Sequence, residues 1–330
     1  MKGSNAPPTM KDVAREAGVS LGTVSKVING IPVGESYRRR VLEAEKKLGY
    51  QVNNYARGLK TNKTGCVALL LPSLRHPFFA ALTDEVLASL TRRNYRCILS
   101  ITNFDPAAEK KAFIMVRQNK ADGVIALTYS PDLEVDESLP IVTIDRHFGP
   151  GVPCISSDNY FGGQLAAEKL LELGCKRPVV FQIGAEVPGE PHKRAAGFES
   201  ACRRLGTEYG SLVLRDNDGE DPFFDFLRAH VNPGAVEYDG VFCSSDGLAL
   251  RVTEFLRARG LRVPEDVQII GYDGLTEFYT KRCPVSSIAQ PIGRMAETAV
   301  TILLDPARRE SGESIYLPVQ YLPGGTTKDK

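Results

Sequence analysis

The sequence predicts a small all-α head joined to a larger α/β body with parallel sheets. Two short helical patterns separated by a glycine lie near the N-terminus, at residues 9–29. From Cys66 onward, uninterrupted apolar runs alternate with amphipathic helical patterns, which is typical of parallel strands covered by helices on both faces. A length of 330 residues is sufficient for two or three folding units with sizeable cores.

Residues 9–29 contain two helical patterns joined by a turn. Thr9 and Asp12 have the spacing of a capping box, in which each side chain bonds a free backbone N–H at a helix start. Gly18 is expected to end the first helix, because glycine adopts the left-handed conformation without a steric penalty. Ser20 is expected to cap a second helix at about residues 21–29. The pattern fits either an ordinary helical corner or a helix-turn-helix motif, whose second helix enters the major groove of DNA.

A third helix is predicted at residues 33–48, and its outer face is basic. Three such helices can enclose a small core made from Val13, Ala14, Val24, Val27, Val41 and Leu48. Residues 1–63 carry 12 Lys and Arg against 5 Asp and Glu, a net charge of +7, whereas the remaining residues carry 29 against 35, a net charge of −6. A basic head on an acidic body predicts a polyanion partner for the head, which favours the DNA-binding interpretation.

Composition and motifs argue against several classes of protein. The seven cysteines are odd in number and form no C-x-x-C pair, which favours a reducing compartment over a disulfide framework or a zinc site. Because neither a signal peptide nor an apolar run of ~20 residues is present, we expect a cytoplasmic, nucleoid-associated protein without a membrane partner. No G-x-G-x-x-G, P-loop or G-x-S-x-G motif occurs, so we expect no catalysis, no cofactor and no metal.

The rest of the chain is predicted to begin with a linker and continue as alternating strands and helices. We expect a disordered leader at residues 1–8 and one short, marginal helix within the polar linker 51–64. Strands are predicted at residues 66–72, 96–101, 123–127, 140–145, 154–158, 178–183, 211–214, 240–244, 267–273 and 315–322. Helices are predicted at residues 79–94, 107–120, 163–173, 192–205, 222–230, 248–259 and 292–304. Two similar α/β halves are expected to meet near residues 158–162 and 289–291.

The N-terminal segment resembles the lac repressor family. The matching pattern is T-x-x-D-V-A-x-x-A-G-V-S-x-x-T-V-S-x-V-x-N over residues 9–29, and it resumes in Gly49, Tyr50 and Asn53. The resemblance implies a helix-turn-helix head (9–50), a hinge helix (51–64) and a body (65–330) with two lobes like those of periplasmic sugar-binding proteins. It implies a first lobe at about residues 65–160 and 290–318, and a second lobe at about 161–289 and 319–330, joined by three crossovers.

The resemblance also implies which residues contact DNA. In the second helix, Leu21, Gly22 and Lys26 occupy the base-reading positions, and a lysine can donate to guanine whereas a leucine can contact a thymine methyl. The side chains suited to phosphate contacts are Ser20, Thr23, Ser25 and Asn29. In the hinge the implied contacts are Asn53, Ala56, Arg57, Leu59 and Lys60, with Leu59 as the wedge between base pairs. The usual hinge proline is Val52 here, which predicts a less rigid hinge.

Polar and aromatic side chains that follow the predicted strands are candidates for binding a small molecule. Carboxylates and a guanidinium can bond hydroxyl groups in pairs, and an aromatic face can cover the apolar side of a sugar ring. An aspartate after a strand can instead cap the next helix. With the resemblance, the effector-binding candidates are Ser73, Phe78, Phe79, Asp145, Arg194, Ser245, Asp246 and Asp273. An asparagine of the family is replaced by Ser245, and the family's aromatic residue near positions 216–219 is missing. The missing aromatic residue favours a sugar over a planar base.

The predicted function is a DNA-binding repressor whose operator affinity is controlled by a small molecule, a sugar or sugar derivative. A homodimer on a palindromic operator is expected, because two heads related by a two-fold axis read a palindrome. The tail after Tyr321 has no apolar heptad, which argues against a tetramer. Two alternatives stay open: the same repressor controlled by a protein co-repressor, and a sugar-binding protein without a regulatory role.

Overall fold

The structure is a computed structural model that describes residues 7–50, 64–127, 139–148, 151–184, 189–215, 218–275 and 284–328. The chain divides into two compact units, Met1–Thr64 and Gly65–Lys330, and each is described by itself. Within the described ranges, no helix is both long enough and apolar enough to cross a lipid bilayer.

The first unit contains three helices: α1 (Met10–Ala17), α2 (Leu21–Ile28) and α3 (Glu35–Leu48). At the start of α1, the carboxylate of Asp12 accepts hydrogen bonds from the backbone N–H of Thr9 (2.9 Å) and from its hydroxyl (2.7 Å). Gly18, with a φ of 60°, ends α1 in the left-handed conformation. Ser20 caps α2, because its Oγ accepts from the N–H of Thr23 at 3.1 Å.

A small apolar core holds these three helices together. Its buried members are Val13, Ala14, Ala17, Val24, Val41 and Ala44. Val27 and Leu48, which the sequence also placed in the core, pack against this cluster while remaining partly exposed. The predicted core is therefore confirmed, whereas α3 begins at Glu35 rather than at residue 33, since Gly34 precedes it as the cap residue.

The second unit is built around two six-stranded sheets. The first sheet has the order β13–β5–β4–β3–β1–β2 and is wholly parallel; its strands are β1 (Cys66–Leu71), β2 (Arg96–Ile101), β3 (Gly123–Ala126), β4 (Ile141–Ile144), β5 (Cys154–Ser157) and β13 (Ser314–Leu317). The second sheet has the order β14–β12–β11–β10–β6–β7; its strands are β6 (Pro178–Gly184), β7 (Gly210–Arg215), β10 (Gly240–Cys243), β11 (Gln268–Asp273), β12 (Ser286–Ala289) and β14 (Gln320–Leu322).

Helices cover both sheets, as their buried apolar strands require. They are α4 (Pro77–Arg92), α5 (Pro106–Gln118), α6 (Asn159–Glu172), α7 (Lys193–Arg204), α8 (Asp221–His230), α9 (Asp246–Ala258), α10 (Ile292–Leu304) and the short α11 (Pro306–Glu310). The side chains of α4 and α10 pack in the core of the first sheet, and those of α6 and α7 in a core of the second. We call the first sheet with its helices the first lobe, and the second sheet with its helices the second lobe.

The chain passes between the two lobes at three places. These crossings lie between β5 and α6, between β12 and α10, and between β13 and β14. Two lobes joined by crossings confirm the predicted architecture of the body. Two predictions about the strands were wrong. No strand was predicted at Ser286–Ala289, where β12 lies. The single strand predicted at residues 315–322 is two strands in different sheets, because Pro318 interrupts the run and cannot donate to a ladder.

The sheets and helices contain two further departures from a simple parallel pattern. β14 pairs antiparallel with β12, and the short strands β8 (Val231–Asn232) and β9 (Ala235–Val236) form a separate hairpin.

Helices α6 and α7 approach unusually closely: a Cβ added to Gly163 would lie 1.9 Å from the carbonyl oxygen of Arg194. Glycine at this position therefore allows the backbone that carries Arg194 to sit against α6.

Candidate functional site

The exposed surface of α2 agrees with a helix that reads DNA. Leu21, Gly22 and Lys26 are exposed, and the side chain of Leu21 is 41% accessible. The opposite side is buried at Val24, so the base-reading positions point away from the core. Exposed residues on one face of the second helix are what insertion into a major groove requires.

The predicted phosphate-contacting side chains also support the local fold. The hydroxyls of Ser20 and Thr23 lie 2.9 Å apart, and Nδ2 of Asn29 donates to the carbonyl oxygen of Ser25 at 2.8 Å. Ser20 and Asn29 are exposed, whereas Thr23 and Ser25 are half-buried. The five predicted hinge contacts fall outside the described residues; they are Asn53, Ala56, Arg57, Leu59 and Lys60.

A cleft of about 600 Å³ lies in the second unit, where the carboxyl ends of strands from both sheets meet. Ligands of open α/β sheets bind at such strand ends. Seven of the eight predicted effector-binding residues line it: Ser73, Phe78, Phe79, Asp145, Arg194, Ser245 and Asp273. The first lobe contributes four of these residues and the second lobe three, so a ligand that fills this cleft contacts both lobes.

Arg194 is fixed in the cleft by three different contacts. Its Nε donates to Oδ1 of Asn159 (2.7 Å) and its Nη1 donates to the carbonyl oxygen of Ser244 (2.7 Å). The guanidinium lies over the ring of Tyr272, 3.7 Å from its centroid. Among the described residues, none forms a hydrogen bond with Nη2 of Arg194.

Asp145 follows β4 and is tied to the first crossing. Its carboxylate accepts a hydrogen bond from the hydroxyl of Ser156, and Nδ2 of Asn159 donates to that same hydroxyl oxygen at 2.9 Å. Burial raises the pKa of Asp145, although Ser156 and Arg194 oppose this. Asn159 therefore bridges Asp145 in the first lobe and Arg194 in the second, because an amide both donates and accepts.

Asp273 ends β11 and is tied to the second crossing. Its Oδ1 accepts a hydrogen bond from Nε2 of Gln290 (2.8 Å), and Oε1 of Gln290 in turn accepts one from the hydroxyl of Ser157 (2.8 Å). Burial raises the pKa of Asp273, while Arg194 and Gln290 hold it down. No described residue donates a hydrogen bond to Oδ2 of Asp273.

Asp246 does not line the cleft, which corrects its prediction as an effector contact. Its Oδ2 accepts from the N–H of Leu275 (2.9 Å), and its Oδ1 accepts from the hydroxyl of Ser287. Both bonds tie the start of α9 to the neighbouring strands β11 and β12. Burial and the negative charge of Asp273 raise the pKa of Asp246. Its carboxylate thus holds the second lobe together rather than facing a ligand.

The first lobe supplies an aromatic wall. Phe78 and Phe79 are buried at the start of α4, with ring centroids 5.7 Å apart in an edge-to-face arrangement. His76 caps this helix, because its Nδ1 accepts from the N–H of Phe78 at 3.3 Å. Burial, with the positive charges of Arg194 and Arg251, lowers the pKa of His76 to about 4, so the imidazole is neutral near pH 7.

Both parts of the chain match described families. Residues 9–53 match bacterial regulatory proteins of the lacI family, and residues 64–324 match the periplasmic binding proteins and sugar-binding domain of the LacI family. The chain belongs to the lacI family of bacterial regulatory proteins. The predicted resemblance is therefore confirmed, and with it a helix-turn-helix head followed by a sugar-binding type of body.

Curated relatives and a solved structure cover nearly the whole of this lacI-family chain. It is 30% identical over 327 residues to the sucrose operon repressor of Pediococcus pentosaceus, covering 97% of this chain and 99% of the relative. It is 32% identical over 325 residues to the ribose operon repressor of Bacillus subtilis strain 168, covering 97% and 98%. The complex of the transcriptional regulator CelR with cellobiose has a TM-score of 0.66 at 26% identity, covering 97% and 99%.

Sequence reasoning missed several residues of the cleft in this lacI-family protein. Gln290 follows a strand, as Asp145 and Asp273 do, and could have been found by the same rule had β12 been predicted. Other residues carry no sequence signal for the cleft, since only the fold brings them there; they are Arg75, His76, Phe104, Arg146, His192, Glu220, Ser244 and Arg251. Two of these, Glu220 and Arg251, pair with each other through two hydrogen bonds.

A second polar cluster joins the two lobes near the cleft. Glu190, which follows β6 in the second lobe, is buried and accepts hydrogen bonds from Nε2 of His147 (2.6 Å) and from the hydroxyl of Tyr316 (3.2 Å) in the first lobe. Nζ of Lys193, which lies in the same lobe as Glu190, also donates a hydrogen bond to this carboxylate at 2.7 Å. Burial raises the pKa of Glu190, but the hydrogen bonds of Lys193 and His147 outweigh it and leave that pKa lowered.

Proposed function

We propose that this protein is a homodimeric repressor whose affinity for operator DNA is set by a carbohydrate bound between the two lobes. The observation that carries the proposal is the cleft itself, which is lined by Asp145 from one lobe and by Arg194 and Asp273 from the other. We assign DNA binding to residues 9–50, the hinge to 51–64, and effector binding and dimerisation to 65–330, in the cytoplasm.

The cleft offers the groups that a polyhydroxylated ligand needs. Nη2 of Arg194 can donate to ligand oxygens, and Oδ2 of Asp273 can accept from ligand hydroxyls, so neighbouring hydroxyls can be bound as a pair. The buried rings of Phe78 and Phe79 provide an apolar wall for the C–H face of a sugar ring. The names of the relatives, which are sucrose and ribose operon repressors, agree with this class of ligand.

DNA binding is assigned to the exposed face of α2. Leu21, Gly22 and Lys26 would lie against base edges, and the polar residues Ser20, Thr23, Ser25 and Asn29 would contact phosphates. In the hinge we retain Asn53, Ala56, Arg57, Leu59 and Lys60 as minor-groove contacts, with Leu59 as the wedge. The positive charge of residues 1–63 supplies the salt-dependent part of the affinity.

Dimerisation is assigned to the first lobe at its β2 edge. Leu87 on α4, Leu99 on β2 and Ile114 on α5 are exposed, and β2 is an edge strand of the first sheet. Exposed apolar side chains next to an unpaired strand edge are typical of a surface that meets another chain. A second copy of this protein placed there would bring two heads together for a palindrome.

Control of DNA binding follows from a ligand that contacts both lobes. A carbohydrate that hydrogen-bonds to both Asp145 and Arg194 favours one arrangement of the two lobes. Because the crossings connect the lobes, a change in this arrangement also moves the N-terminal side of the body. The ligand need only bind one arrangement better than the other, and about 1–3 kcal/mol of coupling is typical. No observation among the described residues favours a protein co-repressor, whereas the cleft has the size and chemistry for a small molecule.

A thermal-shift panel tests the carbohydrate part of the proposal. The full-length protein would be heated with monosaccharides, disaccharides, sugar phosphates and purines, with Asp273→Asn as the matched variant. A ligand at 100 times its Kd stabilises the native state by about 2.7 kcal/mol, which is measurable as a shift of several degrees. We expect a shift with a carbohydrate for the wild type and none for the variant. No shift with any carbohydrate, or a shift with purines alone, would contradict the assignment.

A further inference from the structure

Phe104 lies at the cleft in an unusual conformation. It follows the carboxyl end of β2, lines the cleft, and is 52% exposed although it is a large apolar residue. Its φ is 59°, and that of the preceding Asn103 is 53°, so both residues adopt the left-handed conformation. The loop thus holds an aromatic ring beside the cleft where solvent can reach it.

The left-handed conformation suits Asn103 but not Phe104. Asparagine adopts it with several-fold higher frequency than other non-glycine residues, whereas for a bulky residue it is strained. Strained residues of this kind persist where the surrounding structure holds them, and they cluster at ligand-binding sites. Burial does not explain a phenylalanine at position 104, and an exposed aromatic ring held at a cleft by a strained backbone is suited to contact with a ligand.

The order of the first sheet sets the distance between Phe104 and the polar end of the cleft. Asp145 follows β4 and Phe104 follows β2, and the strands run in the order β4–β3–β1–β2. Three spacings of about 4.8 Å separate the two strand axes by roughly 14 Å. Leu127 after β3 and Phe79 after β1 line the cleft between them. A single sugar ring held by Asp145, Arg194 and Asp273 therefore leaves the β2 end of the cleft uncovered.

We propose that Phe104 is the platform of an outer subsite and that the effector is an extended ligand with at least two rings, a disaccharide or glycoside. The inner ring meets Asp145, Arg194 and Asp273, and the outer ring covers the exposed face of Phe104. A cleft of about 600 Å³ has room for both rings. This inference rests on the proposed carbohydrate control and adds to it the size of the ligand and the residue that selects for size.

Isothermal titration calorimetry on the full-length protein tests the subsite. The probes are cellobiose, sucrose, maltose and lactose, compared with glucose, fructose, galactose and ribose. We expect the wild type to bind at least one disaccharide more tightly than its component monosaccharides. Phe104→Ala should weaken the binding of that disaccharide by about tenfold, equivalent to about 1.4 kcal/mol, and should change the affinity for monosaccharides by less than about twofold. Phe104→Tyr, which keeps the ring, should retain the preference.

Two further variants separate the ring from the backbone. Phe104→Asn suits the left-handed conformation, so it should raise the melting temperature by about 2–4 °C while losing the disaccharide preference. Leu205→Ala removes an equally exposed side chain outside the cleft and should change neither affinity.

The subsite would be overturned if Phe104→Ala lost affinity for both sugar classes equally or lost affinity for neither. It would also be overturned if Phe104→Asn retained the disaccharide preference. The absence of binding by any sugar to the wild type would instead refute the carbohydrate proposal on which it rests.

Discussion

Replacing Asp273 by asparagine is expected to stabilise the protein while removing its response to the effector. Asp273 is buried, with 3% of its surface exposed, and within the described part of the chain its carboxylate has one hydrogen bond, from Gln290. An asparagine Oδ1 can accept the same bond, and Asn tolerates the positive φ of 118° about as well as Asp does. The substitution thus imitates the protonated acid without changing its shape.

The magnitude follows from the raised pKa of Asp273. Between the ordinary aspartate pKa of about 4 and this raised value, the folded protein holds a proton that the unfolded chain has released, so stability falls as pH rises. Above both values the full penalty of the buried charge applies. Each pKa unit is worth about 1.4 kcal/mol, and we expect Asp273→Asn to raise the free energy of unfolding at about pH 8 by roughly 2 kcal/mol. Near pH 2, well below both pKa values, both side chains are neutral in both states, and the difference should vanish.

Urea unfolding at several pH values measures this difference. Asp266→Asn is the control of opposite sign, because the hydrogen bonds of Arg262 lower the pKa of the half-buried Asp266 to about 2. That variant should be less stable than the wild type at neutral pH, and the loss should fade as the pH falls towards 2. An Asp273→Asn variant that is destabilised at about pH 8, or a gain that persists undiminished at about pH 2, would refute the reasoning.

Three other predictions concern the same cleft. Asn159→Ala leaves the buried Nε of Arg194 without its partner, and should weaken effector binding measured by calorimetry by about tenfold or more. Asn119→Ala, which breaks a similar amide contact on α5, should leave that affinity unchanged. Gly163→Ala should lower the free energy of unfolding by about 1–3 kcal/mol, because its Cβ would press on α7. Gly293→Ala should not, because the nearest atom to its Cβ is Oε2 at the flexible end of Glu85, 3.4 Å away. Effector affinity should fall as the pH drops from about 8 towards about 4, because ligand hydroxyls bond the charged form of the buried carboxylates; a pH-independent affinity would contradict that role.

Local signals in the sequence were sufficient for the helices of the head and for the alternation of strands and helices in most of the body. Capping at Thr9 and Ser20 and the glycine turn at Gly18 depend only on neighbours within a few residues, so the sequence carries them. Asp145 and Asp273 could be placed in one cleft because the carboxyl ends of parallel strands meet at one edge of a sheet.

What the sequence could not show depends on distant partners. Asp246 follows its strand just as Asp273 does, but Ser287, 41 residues away, turns its carboxylate into the second lobe. The strand at Ser286–Ala289 has two serines in four residues, and they are buried only because β11 and β14 flank it. Phe104 gave no signal, since its importance lies in a backbone conformation and in the position of β2 within the sheet.

The central claim is that a ligand in the cleft changes DNA binding by the head. The most direct measurement is fluorescence anisotropy with a palindromic DNA selected from a random library by the full-length protein, with and without the carbohydrate that shifts its melting temperature. We expect the carbohydrate to change the DNA Kd by at least about fivefold in the wild type, the lower end of typical coupling. Asp273→Asn should bind the same DNA without responding. A wild-type protein that binds the carbohydrate yet holds its DNA with unchanged affinity would contradict the account.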